Sequence, residues 1–205
     1  MIKNIVFDMG GVLIRWKPAE ILSQYGLSPE EAEILNRELF RSIAWMQQDR
    51  GILTGEEVAE AVGARVPEPL RETVRSIACG WYHRYLIPIP GMAELVRELK
   101  DNGYHIYLLS NASQALRSYF PGIPGSECFE RLMVSAEEKL LKPSHEIYER
   151  LFDKFGLNGA ECWFIDDSPA NVEGAILTGM GGTVFHGDVA RLRRELRRAG
   201  IRCRE

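Results

Sequence analysis

The chain has 205 residues, enough for one well-packed core and a modest insertion but not for two full catalytic domains. Hydrophobic residues make up 45% and charged residues 26%, which excludes a disordered or collagen-like chain, and the net charge of -4 disfavours a general nucleic-acid binder. No apolar stretch reaches membrane-spanning length, no secretory signal region is recognisable, and the four cysteines form no CxxC pair, so we expect a cytoplasmic protein with reduced thiols.

Five short apolar runs predict β-strands. In chain order they are residues 2–7, 104–109, 132–135, 162–165 and 183–185. Apolar residues at helical spacing separate most of them, for example from Met92 to Leu99 and from Ile147 to Phe155. Because strands alternate with helices, we predict a doubly wound α/β domain with a parallel sheet covered on both faces.

The segment between the first two predicted strands is far longer than one crossover connection needs. Its apolar residues recur at helical spacing from Pro18 to about Tyr85. Ser28 and Thr54 each precede acidic residues in a pattern typical of helix N-caps. These features predict several short helices that belong to a separate structure inserted after the first strand.

The chain therefore divides into two predicted domains. An α/β core would comprise residues 1–15 and 87–205, and a small helical cap would comprise residues 16–86. The stretch Pro88-Ile89-Pro90-Gly91 would form a stiff return hinge, since proline fixes the backbone angle φ.

Asp8 closes the first predicted strand and is followed at once by Gly10 and Gly11. A carboxylate at the carboxyl end of a buried strand, above a turn without side-chain bulk, can present its oxygen to a ligand at that edge of the sheet. Asp8 is therefore a candidate nucleophile. The alternative is an Asx-turn, in which the carboxylate only caps the glycine turn.

Asp166 and Asp167 follow the fourth predicted strand directly, so both would reach the same edge of the sheet. Adjacent acids repel each other unless a cation intervenes, and Mg²⁺ prefers carboxylate and phosphate oxygens. We therefore predict Mg²⁺ as the cofactor. The alternative is a helix start capped by one of the acids or by Ser168, and both interpretations can hold at once.

Polar residues at two further places in the chain are candidates for binding phosphate. Ser110 and Asn111 end the second predicted strand, and their hydroxyl and amide could grip a phosphoryl oxygen at a helix start, although plain N-capping also explains them. Lys142 precedes Pro143 and lies near Lys139. Lysine is usually a solvated surface residue, a role for which Lys139 is the better candidate.

Four stretches, in this order along the chain, resemble the motifs of the haloacid dehalogenase-like superfamily. They are Phe7-Asp8-Met9-Gly10-Gly11-Val12, Leu108-Leu109-Ser110-Asn111, Lys142-Pro143 and Phe164-Ile165-Asp166-Asp167-Ser168-Pro169-Ala170-Asn171. The resemblance implies a Rossmann-like core, a helical cap that closes over the active site, and, as in the family's phosphatases, an aspartyl-phosphate intermediate. The first motif, and more loosely Gln48-Asp49-Arg50-Gly51, also resembles a subfamily of the glucose-1-phosphate phosphatase type, with a helical C1 cap.

The resemblance implies a role for each motif residue that contacts the substrate. Asp8 would be the nucleophile. Ser110, Asn111 and Gly11 would contact the phosphoryl group, and Lys142 would neutralise the charge of both nucleophile and phosphoryl group.

The resemblance also implies the metal ligands. Mg²⁺ would be held by Asp8, by the backbone carbonyl of Gly10 and by Asp167. Asp166 would bind it directly or through water, and Asn171 would support this shell.

The predicted cap carries polar and aromatic residues in two places. Sugars often bind through polar-aromatic groups such as the one formed by Trp45, Gln47, Gln48, Asp49 and Arg50. Trp45 and Arg50 are the candidate substrate contacts of this group, although a solvated helix end is an equal explanation. Trp81 and His83 lie near the hinge and could face the cleft, although a histidine near aromatic residues is commonly just packed.

One position lacks the residue that the chemistry would use. Two residues after Asp8, where a second acid would protonate the leaving group, the chain has Gly10. Phosphoryl transfer depends chiefly on positioning and charge stabilisation, so transfer of the phosphoryl group to Asp8 should still occur. The loss of a general acid/base lowers the reaction rate about a hundred- to ten-thousand-fold. We therefore predict a magnesium-dependent phosphatase of a small phosphorylated metabolite, such as a hexose 1-phosphate, whose anomeric hydroxyl leaves readily.

Two alternatives stay open. A haloacid dehalogenase would tolerate Gly10, because halide needs no proton, but it needs no metal and would leave Asp166 and Asp167 uncompensated. A non-catalytic module would bind phosphate-bearing ligands without turnover. Neither nucleic acid nor membrane is an expected partner, and no obligate protein partner is evident from the sequence.

Overall fold

The computed structural model describes residues 1–204, which form a parallel sheet covered by helices. The five strands are β1 (Asn4–Phe7), β2 (His105–Ser110), β3 (Arg131–Val134), β4 (Cys162–Asp166) and β5 (Gly181–Val184). Their order in the sheet is β3-β2-β1-β4-β5, and every neighbouring pair is parallel. All five predicted strands are confirmed, with bounds that differ by a residue or two.

The sheet is buried on both faces, as its near-continuous apolar strands require. Ile5 and Phe7 of β1 pack in the larger hydrophobic cluster, which also holds the apolar side chains of the inserted helices. Val6, between them, points to the opposite face and packs in a second cluster with Phe164 and Leu151. This alternation confirms the predicted doubly wound α/β fold.

Helices connect the strands and make up most of the insertion. The inserted segment contains α1 (Pro18–Leu22), α2 (Pro29–Leu35), α3 (Ile43–Asp49), α4 (Gly55–Gly63) and α5 (Arg71–Gly80), with a π-helical turn at Asn36–Phe40. The remaining helices are α6 (Met92–Asp101), α7 (Leu116–Tyr119), α8 (Ser135–Glu138), α9 (His145–Phe155), α10 (Pro169–Leu177) and α11 (Val189–Arg198). Short 3₁₀ turns lie at Ser23–Tyr25, Glu68–Leu70, Trp81–His83, Phe120–Gly122, Ser126–Cys128 and Gly159–Glu161. None of the helices described for residues 1–204 has the length and apolar character needed to span a membrane.

Two predicted N-caps organise the inserted helices. The Ser28 hydroxyl accepts a hydrogen bond from the backbone N–H of Glu31, whose carboxylate in turn accepts one from the Ser28 N–H. Thr54 and Glu57 form the same reciprocal pair at the start of α4. Both caps are confirmed, and each satisfies backbone donors that would otherwise lack a partner, a stabilisation of about 1 kcal/mol.

The two connections between sheet and insertion lie side by side. Ile14 and Pro88 form an isolated antiparallel bridge. The Arg15 N–H donates to the Ile87 carbonyl at 2.8 Å, and the Ile89 N–H donates to the Leu13 carbonyl at 2.9 Å. The chain therefore leaves and re-enters the sheet region through one paired crossing, next to the predicted limits 16 and 86. The division into two domains at these limits stays a prediction.

Candidate active site

The carboxyl edge of the sheet brings together residues that are distant in sequence. Strand β1 lies between β2 and β4, with Phe7 in register with both Leu108 and Ile165. The Asp8 N–H donates to the Ile165 carbonyl at 2.9 Å, which continues the pairing one residue beyond the strand. Since parallel strands all end at the same edge, Asp8 lies next to the segments that follow β2 and β4.

Lys142 is the buried positive charge of this edge. Its Nζ lies 2.8 Å from Oδ1 of Asp8 and 2.7 Å from Oδ2 of Asp166, and it donates to the Leu109 carbonyl at 2.9 Å. Its side chain is only 1% exposed, whereas Lys139 is exposed. The structure therefore places Lys142, and not its neighbour, beside the candidate nucleophile.

Asn111 holds Lys142 in place. Its amide Nδ2 donates to the Lys142 carbonyl at 3.0 Å, and its Oδ1 accepts from the Lys142 N–H at 2.9 Å. The sequence predicted that this amide grips a phosphoryl oxygen. Asn111 also lines the cavity next to Asp8, and its amide carries a second N–H that this pair of hydrogen bonds does not use. The structure therefore adds a positioning role towards Lys142, and the phosphate contact of Asn111 stays a prediction.

Ser110 is the last residue of β2, and its buried side chain forms part of the wall of a cavity next to Asp8. The next helix, α7, begins only at Leu116. The expected helix start directly after Ser110 and Asn111 is therefore wrong, and neither residue caps a helix. Ser110 instead lines the same cavity as Asp8, and its contact with a phosphoryl group stays a prediction.

Asp166 is fully buried, and its carboxylate is saturated with donors. Oδ1 accepts from the Ser168 N–H at 2.8 Å and from Asn171 Nδ2 at 3.0 Å, while Oδ2 accepts from Lys142 and, at 3.1 Å, from Asn171. A carboxylate offers about four acceptor positions. Ser168 is the N-cap residue of α10, but its side chain makes no cap hydrogen bond. The predicted helix start is therefore confirmed, its capping by the Ser168 side chain is not, and the metal role of the two acids stays a prediction.

Three carboxylates at this edge form a cluster suited to a cation. One oxygen each of Asp8, Asp166 and Asp167 lies within 4.8 Å of the others. A Cβ built on Gly11, whose φ is +78°, would lie 2.3 Å from Oδ2 of Asp167. Gly11 thus leaves the space that Asp167 occupies, and its predicted phosphate contact stays a prediction. Hard carboxylate oxygens at this spacing fit Mg²⁺.

The electrostatics of the cluster also fit a cation. Burial raises the pKa of Asp8 above its ordinary value, although Lys142 acts in the opposite direction. Burial and the neighbouring Asp166 raise the pKa of Asp167. For Lys142, burial lowers the pKa, but Asp8 and Asp166 outweigh it, so the net pKa is raised and the ammonium stays charged. A divalent cation would offset the excess negative charge of three acids against one lysine.

The cavity above these groups has a volume of about 320 Å³ and a strongly aromatic wall. Its aromatic lining residues are Trp16, Phe40, Trp45, Trp81 and Tyr119. They contact one another, with ring centroids 4.8 Å apart for Trp16 and Trp81 and 4.9 Å apart for Phe40 and Trp45. Sequence reasoning identified Trp45 and Trp81 but missed Trp16, Phe40 and Tyr119, which carry no motif and meet only through tertiary packing.

Two predicted contacts of the insertion lie elsewhere. The guanidinium Nε of Arg50 donates to the Lys139 carbonyl at 3.1 Å, and Arg50 does not line the cavity. His83 is exposed and packs on Tyr82, with ring centroids 4.2 Å apart, so it also lies outside the cavity wall. The residue that does line the cavity next to Arg50 is Asp49, which the sequence placed in the polar-aromatic group without a chemical role.

Comparison with known proteins agrees with this arrangement. A profile of the family described as haloacid dehalogenase-like hydrolase matches residues 2–179. The chain therefore belongs to the haloacid dehalogenase-like hydrolase family and is an enzyme of the hydrolase class.

Two curated relatives of the chain are named as phosphatases. The sesquiterpene phosphatase astK of Aspergillus oryzae is 29% identical over 189 residues, which cover 88% of this chain and 88% of that protein. The D-ribitol-5-phosphate phosphatase of Bacteroides thetaiotaomicron is 25% identical over 187 residues, with 84% and 86% covered. Among solved structures, a magnesium complex of a HAD family enzyme from Bacteroides thetaiotaomicron is 26% identical, has a TM-score of 0.67 and matches 94% of this chain and 98% of that one.

Proposed function

We propose that the chain is a magnesium-dependent phosphomonoesterase that acts on a small phosphorylated substrate through an aspartyl-phosphate on Asp8. The observation that carries this proposal is the meeting of Asp8, Asp166 and Asp167 with the buried Lys142 beside one cavity. Phosphoryl transfer needs a positioned nucleophile and positive charge around the phosphoryl oxygens, and this cluster fits both requirements. The named activities of the curated relatives support the same reaction class.

Each group in the cluster has a definite task in this proposal. The free oxygen of Asp8 attacks phosphorus while Lys142 holds the other oxygen and stabilises the negative charge. The Ser110 hydroxyl donates to a phosphoryl oxygen. Asp8, the Gly10 carbonyl and Asp167 would hold Mg²⁺, which when bound neutralises charge on the phosphoryl group.

Asp166 has a different task from that of Asp167. Its oxygens already accept hydrogen bonds from Lys142, Ser168 and Asn171. It therefore positions Lys142, and it would support a bound cation through water, while the more exposed Asp167 would hold the cation directly.

The inserted helices act as a cap in this proposal, with the domain limits 1–15 and 87–205 for the core and 16–86 for the cap. Phe40, Trp45 and Trp81 of the insertion complete the cavity over Asp8. Gln48 also lines the cavity, but its amide donates to the Ala78 carbonyl at 2.8 Å. The cap therefore presents aromatic faces more than free hydrogen-bonding groups to the leaving group.

This lining favours a substrate whose leaving group has a flat or apolar face. Such a group gains by burial against indole and phenyl rings, and the named substrate class of the Aspergillus relative has this character. A hexose 1-phosphate can also stack on tryptophan. It stays a prediction, together with the glucose-1-phosphate phosphatase type subfamily.

Of the two alternatives, the dehalogenase is disfavoured by the acidic cluster. A dehalogenase has no use for a metal, and Asp167 would remain uncompensated beside Asp8 and Asp166. The binding module without turnover remains the competing hypothesis because Gly10 offers no proton donor.

The test is hydrolysis of 4-nitrophenyl phosphate by the purified protein with Mg²⁺ or with EDTA. We expect turnover with Mg²⁺, none with EDTA and none for Asp8→Asn, which removes the nucleophile but keeps the shape of the side chain. Asp153→Asn, which changes an exposed acid on α9, is the matched control and should retain full activity. Turnover that persists in EDTA would reject the metal, and failure on a panel of aryl, prenyl and sugar phosphates would favour the binding module.

A further inference from the structure

The chain needs a proton donor that the first motif does not supply. An alkyl phosphate releases a strongly basic alkoxide, and an acid positioned at the leaving oxygen is normally required. Gly10 has no side chain, and a Cβ built on it would lie 3.4 Å from the Cβ of Trp16. The space beside Gly10 is therefore bounded by Trp16, so the donor must come from another part of the cavity.

Asp49 is an acid of the cavity wall outside the metal cluster. It is the last residue of α3, so it belongs to the insertion, whereas Asp8 and Asp167 belong to the sheet edge. Within residues 1–204, these three are the carboxylates that line the cavity. Asp49 is thus the acid placed to meet the part of a substrate that extends away from Asp8 towards the insertion.

The segment that carries Asp49 is fastened to the core at three successive residues. The Ser135 hydroxyl donates to the Asp49 carbonyl, and Arg50 Nε donates to the Lys139 carbonyl at 3.1 Å. Gly51, with φ of +72°, packs so closely that a Cβ on it would lie 2.0 Å from the Ala136 carbonyl oxygen. All three core residues belong to the segment that follows β3. The backbone that carries the Asp49 side chain is therefore fixed relative to the core.

The surroundings of Asp49 keep a proton on its carboxyl near neutral pH. Burial raises its pKa to about 7, and the negative charge of Asp8 adds to this, while a hydrogen bond from the Trp45 side chain acts in the opposite direction. Tyr119 faces it from the core, and burial together with the Asp49 charge raises the pKa of that phenol, so Tyr119 stays neutral. An acid with a pKa near the working pH can both give and take a proton.

We propose that Asp49 is the general acid and general base of the reaction. It protonates the leaving oxygen and deprotonates the attacking water, which Gly10 cannot do because it has no side chain. Resting on the proposed function, the first step joins an Asp8 oxygen to phosphorus while the ester P–O bond breaks. The electron pair of that bond goes to the leaving oxygen, which takes the Asp49 proton and departs as the alcohol. In the second step the Asp49 carboxylate takes a proton from water as the water oxygen attacks phosphorus. The bond from phosphorus to Asp8 then breaks, which releases phosphate and restores both carboxyl groups.

The experiment compares Asp49→Asn with the wild type on two esters in the presence of Mg²⁺. 4-Nitrophenyl phosphate releases a stable phenolate that needs no proton, whereas benzyl phosphate releases an alkoxide that does. We expect kcat/KM for benzyl phosphate to fall by about a hundredfold or more and kcat/KM for 4-nitrophenyl phosphate by less than about tenfold. Glu60→Gln, an exposed acid of α4, is the control and should change neither value.

Pre-steady-state kinetics test the second step. Asp49→Asn should release one equivalent of 4-nitrophenol per enzyme in a burst and then turn over slowly, because hydrolysis of the aspartyl-phosphate has lost its base. The burst also shows that the variant is folded. A slow steady state without a burst would overturn the second part of the proposal.

The outcomes separate the two proposals. Wild-type protein that hydrolyses neither ester would overturn the proposed function and the role of Asp49 with it. If the wild type is active and Asp49→Asn loses the same factor on both esters, Asp49 only shapes the cavity and this inference alone fails. Wild-type protein that hydrolyses the aryl ester but not the benzyl ester would likewise overturn it, since a positioned donor should support both.

Discussion

Replacement of Lys142 by methionine removes the charge that holds the two buried carboxylates together. Lys142 Nζ contacts Asp8 at 2.8 Å and Asp166 at 2.7 Å, and its side chain is 1% exposed. Loss of one partner of a buried ion pair costs about 3–5 kcal/mol, and the Leu109 carbonyl loses a donor worth about 1 kcal/mol. Methionine keeps the aliphatic volume, so little packing is lost. We expect Lys142→Met to lower the free energy of unfolding by about 4 kcal/mol in EDTA.

Urea denaturation at pH 7, followed by circular dichroism, measures this change. Lys139→Met makes the same substitution at an exposed position three residues earlier and should stay within about 0.5 kcal/mol of the wild type. Mg²⁺ should restore part of the free energy of unfolding that Lys142→Met has lost, because a cation bound among the same carboxylates replaces the missing positive charge. A loss below about 1 kcal/mol in EDTA would refute the ion-pair reasoning, since that is the range of solvent-exposed pairs.

Two further predictions concern the fastened segment at residues 49–51. Because burial raises the pKa of Asp49 to about 7, the folded protein binds this proton more tightly than the unfolded chain and loses stability as the pH rises from about 4 to 7. Asp49→Asn should therefore gain stability relative to the wild type across that window, by about 2 kcal/mol after discounting for partial exposure; parallel pH profiles in urea denaturation would contradict this. Gly51→Ala should lose at least about 1 kcal/mol more than Gly26→Ala, since both glycines have positive φ but only the first would place a Cβ against the Ala136 oxygen. Equal losses in the two alanine variants would show that the close contact is absent.

The sheet edge could be predicted from the sequence because its geometry follows from strand order. Apolar runs predict the strands, and parallel strands end at one edge, so acids that follow two of them must meet. Asp8, Asp166 and Asp167 were found in this way. Strand order could not identify Lys142, because this residue does not directly follow a strand. Only the resemblance of Lys142-Pro143 to a family motif distinguished it from Lys139.

The insertion side of the site could not be predicted, because it depends on how separate elements dock. Arg50 and Asp49 are neighbours at the end of one helix, where each residue turns about 100° from the last. The sequence pattern does not predict which of these two residues lines the cavity next to Asp8. In the structure Asp49 lines it, and Arg50 donates to the Lys139 carbonyl instead. Asn111 illustrates the same limit, since its partner Lys142 lies 31 residues further along the chain.

The paired crossing of Ile14 and Pro88 lies at the two ends of the insertion, whereas Gly51, which contacts Ala136, lies between α3 and α4. The inserted helices are therefore held to the rest of the protein at a second place besides the crossing. Any opening movement of the inserted helices must therefore break the contacts of residues 49–51 with the segment that follows β3. Weakening the contact of Gly51 with Ala136 should accordingly widen the range of esters that the enzyme hydrolyses, at the expense of discrimination among them.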